Sequence, residues 1–211
     1  ATPPTIDLKA IGRLEAWLLD VKPPVYPYAI DRELALSGES IYQAYCADCH
    51  GQSGADFKGA RVGHVTPIAE IGTDRGRLDS FTADLAANLG SVYAGYDWRF
   101  KGFRKTFGYA NMPLDGLWLR APYLHNGSVP TVRDLLEPAS ARPRVFYRGY
   151  DVYDPRKLGF VSDVAEENGR AYFEFDTSLA GNDNQGHEGK AYGTELRAEQ
   201  KAALVEFLKT F

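Results

Sequence analysis

The chain has 211 residues, of which 44% are hydrophobic and 25% are charged, and these proportions are ordinary for one globular domain or for a domain with an added lobe. Its formal net charge of -4 is too small to indicate binding to nucleic acid or to an anionic membrane. No apolar run approaches the length of a transmembrane helix.

The N-terminal segment is expected to be a helix followed by an extended strap. Apolar residues recur at helical spacing over residues 5–20, and Asp7 is the candidate N-cap of this helix. Residues 21–28 then contain three prolines, which favour an extended, polyproline-like conformation packed on the rest of the protein. We therefore place one N-terminal segment at residues 1–30 and a larger domain at residues 31–211.

A second predicted helix, at about residues 38–47 with Ser37 as N-cap, leads into a C-x-x-C-H motif. This spacing is the attachment signature of a c-type haem. The thiols of Cys46 and Cys49 add to the two vinyl groups of the porphyrin. His50 follows directly, so its imidazole ligates the iron as the proximal ligand.

Two other uses of the cysteine pair are weaker. A thioredoxin-like C-x-x-C would follow a strand of a βαβ unit, which the surrounding residues do not indicate. A structural zinc site needs four ligands, whereas the chain has only two cysteines and four scattered histidines. The sequence therefore predicts one covalently attached haem c, which leaves no cysteine for a disulfide.

The region after the motif is expected to alternate loops with one helix. Residues 51–76 hold six glycines, at Gly51, Gly54, Gly59, Gly63, Gly72 and Gly76. A third helix is predicted over residues 79–90. Residues 96–110, which include Phe100, interleave aromatic residues with Arg and Lys. We expect the aromatic rings to pack on the haem and the cations to face water or haem propionates, and we rank docking of an acidic redox partner lower.

The C-terminal part is predicted to end in the clearest helix of the chain. A short helix capped by Thr131 spans residues 131–136, and residues 138–193 are irregular with short strand-like pieces such as 171–175. The last helix, over residues 196–211, has apolar residues at i, i+3, i+4 and i+7. The predicted fold class is mostly α: a class I cytochrome c-like helical haem domain, with two crossing helices, long loops and a few short strands.

Two segments resemble a known family. Residues 121–138 have the sequence APYLHNGSVPTVRDLLEP, and residues 181–189 have the sequence GNDNQGHEG. With the Tyr- and Asp-rich stretch between them, they resemble the haem domain of the dihaem cytochrome c peroxidase superfamily. Within it, the similarity is closest to the C-terminal haem domain of haem-type rubber oxygenases, over about residues 31–211. Those enzymes carry two covalent haems, whereas this chain has one C-x-x-C-H motif.

Four side chains are candidates for the sixth iron ligand: Met112, His64, His125 and His187. Met112 is the only methionine in the chain, and His64 is expected to be a solvated loop residue. His125 lies in a motif that lines a haem environment in the superfamily without usually ligating the electron-transfer haem. His187 precedes the last helix, where class I cytochromes place their distal ligand, and the resemblance implies the same role. We predict His187, with Met112 as the alternative.

The sequence leaves two functions open. The first is a monohaem c-type cytochrome that carries single electrons to or from a periplasmic redox protein. The second is a haem peroxidase or oxygenase, or the haem subunit of one. Because bacteria attach haem to C-x-x-C-H motifs outside the cytoplasmic membrane, we expect an exported protein, with residues 1–4 as a mature start.

Overall fold

The computed structural model describes residues 5–53, 56, 59–99 and 101–211. The expected mature start at residues 1–4, Gly54 and Phe100 lie outside the described residues. The chain divides into two compact units. One consists of Ala1–Pro24 with Phe81–Lys105, and the other, here called the main unit, consists of Val25–Ser80 with Thr106–Phe211. The main unit contains the C-x-x-C-H motif and all four candidate sixth ligands, while the predicted domain boundary near residue 30 stays a prediction.

Eight α-helices occur in the described residues. In chain order they are α1 (Leu8–Asp20), α2 (Arg32–Tyr45), α3 (Ala47–His50), α4 (Ile68–Ile71), α5 (Gly76–Ser80), α6 (Ala83–Ser91), α7 (Val132–Leu135) and α8 (Ala198–Leu208). Three short 3₁₀ turns lie at Leu117–Leu119, Ala139–Ala141 and Lys190–Tyr192. No helix in this part of the chain is both long enough and apolar enough to cross a membrane.

In the described part of the chain the strands are short, and they form two-stranded antiparallel pairs. In chain order they are β1 (Val65–Pro67), β2 (Gly108–Ala110), β3 (Val145–Arg148), β4 (Tyr153–Asp154), β5 (Gly159–Phe160), β6 (Glu166–Glu167), β7 (Arg170–Ala171) and β8 (Phe173–Asp176). The pairs are β1 with β2, β3 with β8, β4 with β5, and β6 with β7. The strand-like piece expected at residues 171–175 is therefore real, and it forms most of β8.

Helices, with the 3₁₀ turns included, contain 36% of the described residues, and strands contain 12%. Helix is therefore the larger regular component, but the predicted mostly-α class is too strong for a chain with so much loop. The long loops and the few short strands agree with the prediction. Residues 138–193, predicted to be irregular, contain six of the strands, and each of these has only two to four residues.

The first helix is capped as the sequence predicts. The carboxylate of Asp7 accepts a hydrogen bond from the backbone N–H of Ala10 at 2.9 Å, so the helix begins at Leu8 rather than at residue 5. No residue of α1 is buried, and its apolar side chains are 46 to 83% exposed. The strap that follows is anchored in the main unit by Tyr26, which is 7% exposed and packs edge-on against Trp118.

The second helix begins six residues earlier than predicted. Asp31, not Ser37, is its N-cap, and the Asp31 carboxylate accepts a hydrogen bond from the N–H of Leu34 at 3.0 Å. Glu33 in the first turn adds a favourable charge at the positive end of the helix. Ser37 lies inside the helix, where its hydroxyl donates to the Leu34 carbonyl instead of capping.

The predicted helix over residues 79–90 is two helices. The chain leaves α5 after Ser80 and restarts at Ala83, because the Thr82 hydroxyl accepts a hydrogen bond from the N–H of Leu85 and caps α6. The cap predicted at Thr131 is present: its hydroxyl accepts from the N–H of Asp134. Both α7 and the last helix, α8, are shorter than predicted.

Helices α2 and α8 pack against each other and form the centre of the main unit. Gly38 lies at their contact, where an added Cβ would overlap the backbone carbonyl of Ala203. Beside it, Tyr42 is fully buried, with its ring 5.3 Å from that of Phe207 and 4.9 Å from that of Phe211. Because Tyr42 also donates to the carbonyl of Gly51 at 2.8 Å, this packing fixes the segment that carries the C-x-x-C-H motif.

Candidate haem site

The C-x-x-C-H motif occupies a break between two helices. The chain leaves α2 at Cys46, whose φ of -122° and ψ of -37° are not helical, and α3 then carries Cys49 and His50. Gly51 follows with a φ of +87°, a left-handed conformation that glycine adopts without strain, and an added Cβ there would press on the backbone carbonyl of Asp56. The break and the turn together present both thiols and the imidazole to the same cleft.

The imidazole of His50 is held from behind by a backbone carbonyl. Its Nδ1 lies 2.7 Å from the carbonyl oxygen of Met112. Because a carbonyl oxygen only accepts, Nδ1 carries the proton and the Nε2 lone pair is free to bind a metal. A backbone acceptor of this kind fixes the orientation of a metal-ligating histidine and raises its basicity.

The cleft in front of His50 has a volume of about 290 Å³ and is largely apolar. Its walls include seven leucines from different parts of the main unit: Leu114, Leu117, Leu124, Leu135, Leu136, Leu204 and Leu208. Cys46, Cys49 and His50 line it together with His187 and Tyr192. An apolar cleft with a few convergent polar groups is the usual form of a cofactor site, so these residues fit a haem.

His50 and His187 face the same cleft at a separation that suits one iron between them. Their ring centroids are 6.4 Å apart, with a tilt of 45°. Imidazole nitrogens bind metals at about 2.0–2.1 Å, so two on opposite sides of one ion lie about 4 Å apart, and half a ring at each end brings the centroids to about 6 Å. The spacing therefore fits two axial histidines.

The His187 side chain has an unsatisfied nitrogen. Its Nδ1 is buried and has no hydrogen-bond partner among the described residues. Burial, followed by the charges of His50 and Arg142, lowers the pKa of His187 to about 4. The imidazole is thus neutral at pH 7, which is the form that ligates a metal.

The backbone at His187 is held in an unusual conformation. Its φ is +48°, in the left-handed region that non-glycine residues rarely occupy. The N–H of His187 donates to the carbonyl of Ile71 at the end of α4, at 2.8 Å. Gly186, just before it, lies so close to the backbone of Gly72 and Thr73 that a Cβ would overlap them. Such conformations persist where the surrounding structure enforces them, often at functional sites.

The other candidate ligands lie elsewhere. The side chain of Met112 is 55% exposed and does not line the cleft. His64 is exposed, as expected for a loop residue. His125 does not line the cleft either, and its ring stacks on Tyr109 at 4.3 Å with a buried Nε2 that has no partner among the described residues. The structure therefore brings together Cys46, Cys49, His50 and His187, and leaves out the remaining three.

The cysteine thiols are not poised for redox exchange. Burial, and then the neighbouring Cys49, raises the pKa of Cys46 to about 12. Burial also raises the pKa of Cys49. Thioredoxin-like pairs instead have a lowered thiol pKa.

Among the described residues, no group of three or more His, Cys, Asp or Glu side chains is arranged to hold a metal ion. The thioredoxin and zinc alternatives therefore have no support in the geometry.

Three contributions to the site were not foreseen from the sequence. Met112 was singled out for its thioether, whereas the structure uses its backbone carbonyl. Tyr192 packs its ring 4.7 Å from that of His187, inside the cleft. Arg142 contacts the loop that carries His187. No local sequence pattern marks Tyr192 or Arg142. Arg142 contacts a loop that is distant in sequence, and Tyr192 contacts His187 within an irregular segment.

The similarities of the chain to known proteins include one family and two curated relatives. Residues 108–147 match the family described as RoxA-like, cytochrome c-like. The uncharacterized protein y4iJ of Sinorhizobium fredii is 31% identical over 251 aligned residues, which cover 90% of this chain and 41% of that protein. The uncharacterized protein y4iM of the same organism is 30% identical over 248, which cover 99% and 55%.

The chain spans about half the length of the curated relatives it matches. The family match starts at β2 and includes residues 121–138, which form one of the two segments that carried the resemblance in the sequence. The other segment, residues 181–189, lies outside the match. Over this segment the chain resembles the haem domain of the RoxA-like proteins, and it contains a haem-binding, cytochrome c-like region.

Proposed function

We propose that this chain is a monohaem c-type cytochrome domain that carries single electrons to or from a redox protein. The observation that carries the proposal is the 6.4 Å separation of the His50 and His187 rings across an apolar cleft that both cysteines also line. Two strong nitrogen donors, from His50 and His187, would both bind the haem iron. A six-coordinate iron suits electron transfer, because it changes its charge without exchanging ligands.

The proposed haem would be held by four side chains. Cys46 and Cys49 form the thioethers, and His50 and His187 are the proximal and distal ligands. When bound, the haem supplies one-electron exchange at its iron. The Met112 carbonyl keeps the His50 imidazole oriented, and the leucines of the cleft exclude water. Because imidazole favours ferric iron more than a thioether does, the potential is expected on the low side of the cytochrome c range.

The finer fold assignment belongs to the same proposal. A class I cytochrome c has an N-terminal and a C-terminal helix that pack together beside the haem. Here α2 precedes the C-x-x-C-H motif, α8 is the last helix, and Gly38 allows their close contact. Leu204 and Leu208 of α8 line the cleft, so α8 touches the proposed cofactor site directly.

The proposed setting is the bacterial periplasm or another exported location, with a redox protein as partner. The C-x-x-C-H motif supports this, because such haems are attached outside the cytoplasmic membrane. Exposed cations from the segment 96–110, among them Arg99, Lys101 and Arg104, offer a surface for an acidic partner. The alternative function is a haem peroxidase or oxygenase, or a haem subunit of one, as in the enzymes that the sequence resembles.

Two experiments test this proposal. Intact mass should exceed the sequence mass by one haem, and the haem should resist extraction with acidified acetone, since thioethers are covalent. Haem that extracts, or no haem, would rule out the assignment of Cys46 and Cys49. Stopped-flow mixing with peroxide and with oxygen separates carrier from enzyme. We expect no rapid turnover without a partner, and rapid turnover would establish the enzyme alternative.

A further inference from the structure

Arg142 is a buried cation whose hydrogen bonds all end on backbone carbonyls. The residue is only 5% exposed. A guanidinium has five N–H donors in a rigid planar fork. In this structure Nε donates to Glu137 at 3.0 Å, Nη1 donates to Asn184 and, at 2.9 Å, to Gly186, and Nη2 donates to Leu135 and to His187 at 3.3 Å each.

These five carbonyls come from two separate segments. Leu135 and Glu137 lie at the end of α7 and just after it, in the segment that the family match covers. The other three belong to the loop 184–187, which ends at the proposed distal ligand. Arg142 therefore ties this loop to a helix end, and Asn184 reinforces the tie by donating to the carbonyl of Pro143 at 3.1 Å.

The same loop is also held by the end of α4. The N–H of His187 bonds to the Ile71 carbonyl, and Gly186 lies against the backbone of Gly72 and Thr73. The loop is thus held between two fixed elements, with the fork of Arg142 on one side and the end of α4 on the other. This double hold accounts for a histidine that keeps a φ of +48°.

We propose that Arg142 is the positioning residue of the distal histidine. Its guanidinium holds the carbonyls of residues 184, 186 and 187 so that the His187 imidazole stays within reach of an iron bound to His50. This inference rests on the proposed function. Arg142 itself does not touch the cofactor. Through His187, it controls whether the sixth position of the iron is closed or open to foreign ligands.

Three substitutions in the haem-loaded protein test the role. Arg142→Met removes the whole fork and keeps an unbranched apolar stem. Arg142→Lys keeps the charge but loses the fork. Arg144→Met is the matched control, since Arg144 is exposed and its guanidinium donates to the Ser178 hydroxyl at 3.4 Å. Each variant is titrated with imidazole in the ferric state, and amide hydrogen exchange is followed at residues 184–187.

We expect Arg142→Met to bind imidazole at least tenfold more tightly than the unsubstituted protein and to exchange the His187 amide faster. Arg142→Lys should lie between the two, and Arg144→Met should match the unsubstituted protein in both measurements. Because the lysine variant alters less of the packing, it keeps the test decisive if the methionine variant does not fold.

Two results would overturn the positioning role. One is unchanged amide exchange at residues 184–187 in both Arg142 variants. The other is faster exchange with an unaltered iron spectrum and unaltered imidazole affinity, which would make Arg142 a structural residue only. Failure of the proposed function is seen separately: the unsubstituted protein would then show an open or sulfur-ligated iron before any substitution is made.

Discussion

The Nδ1 of His50 donates to the backbone carbonyl of Met112 at 2.7 Å, while the Met112 side chain points to solvent with 55% of its surface exposed. One residue thereby supports the proximal histidine through its backbone and leaves its sulfur outside the cleft. The sequence alone does not separate a role of the Met112 backbone from a role of its sulfur. Substitution of the Met112 side chain therefore tests the ligand assignment.

Met112→Leu should leave the haem spectrum and the reduction potential unchanged. The substitution keeps the carbonyl that accepts from His50 and removes only an exposed thioether. Absorption spectra and a redox titration of the variant provide the measurement. Loss of low-spin character on this substitution would show that sulfur, and not His187, closes the iron.

His187→Ala should open the sixth position. Without the distal imidazole the ferric iron becomes high-spin or takes a foreign ligand, and added imidazole should restore the low-spin spectrum. His64→Ala is the control, because His64 is exposed and lies outside the cleft. A low-spin spectrum that survives His187→Ala without added ligand would refute the assignment.

Gly38→Ala should destabilise the main unit by about 1–3 kcal/mol, the range for overpacking a close contact. The new methyl group has no room beside the Ala203 carbonyl, so α2 and α8 must separate. Gly12→Ala in α1 is the matched control: nothing lies within 4 Å of its added Cβ, and alanine favours a helix by up to about 1 kcal/mol. Denaturant unfolding followed through haem absorbance measures the stability of the main unit, to which α1 does not belong. Equal stability of that unit in the two variants would contradict the helix contact.

Lys201→Ala should cost about 3 kcal/mol of folding stability. The Lys201 ammonium, on α8 and 7% exposed, lies 2.6 Å from the carboxylate of Glu137. Removal of one partner of a buried ion pair typically costs about 3–5 kcal/mol. We expect the lower end of this range, because Arg133 lies 3.2 Å from the same carboxylate and keeps part of the ionic interaction. Lys190→Ala, at an exposed position, should change stability by no more than about 0.5 kcal/mol. A loss for Lys201→Ala as small as that would show that the pair is unimportant.

Helix N-caps were predicted correctly where a single side chain determines the residue at which the helix begins. Asp7 and Thr131 cap helices as predicted, because a side-chain oxygen two or three residues ahead of a free N–H acts without tertiary contacts. The same rule explains two errors. Asp31 caps α2 in place of Ser37, and Thr82 interrupts a helix predicted to be continuous. Asp31 lies six residues before the predicted cap, Ser37, and Thr82 lies inside the predicted helix.

The site was only partly accessible to such reasoning. The spacing of Cys46, Cys49 and His50 predicts haem attachment directly. The position of His187 ahead of the last helix could also be read from the sequence. The contact between Arg142 and the loop 184–187 was not, since carbonyl acceptors carry no sequence signature. The short helix α4 was also missed, and α5 was merged into a longer predicted helix, because four or five residues are too few to show a period.

We propose that His50 and His187 both bind the iron of one covalently attached haem. Absorption spectra of the oxidised and reduced protein at neutral pH test it most directly, because they separate six-coordinate low-spin iron from five-coordinate high-spin iron and reveal sulfur ligation. We expect low-spin spectra in both oxidation states, without the sulfur-to-iron charge-transfer band of methionine-ligated cytochromes. A high-spin ferric spectrum, or the appearance of that band, would contradict the assignment of His187.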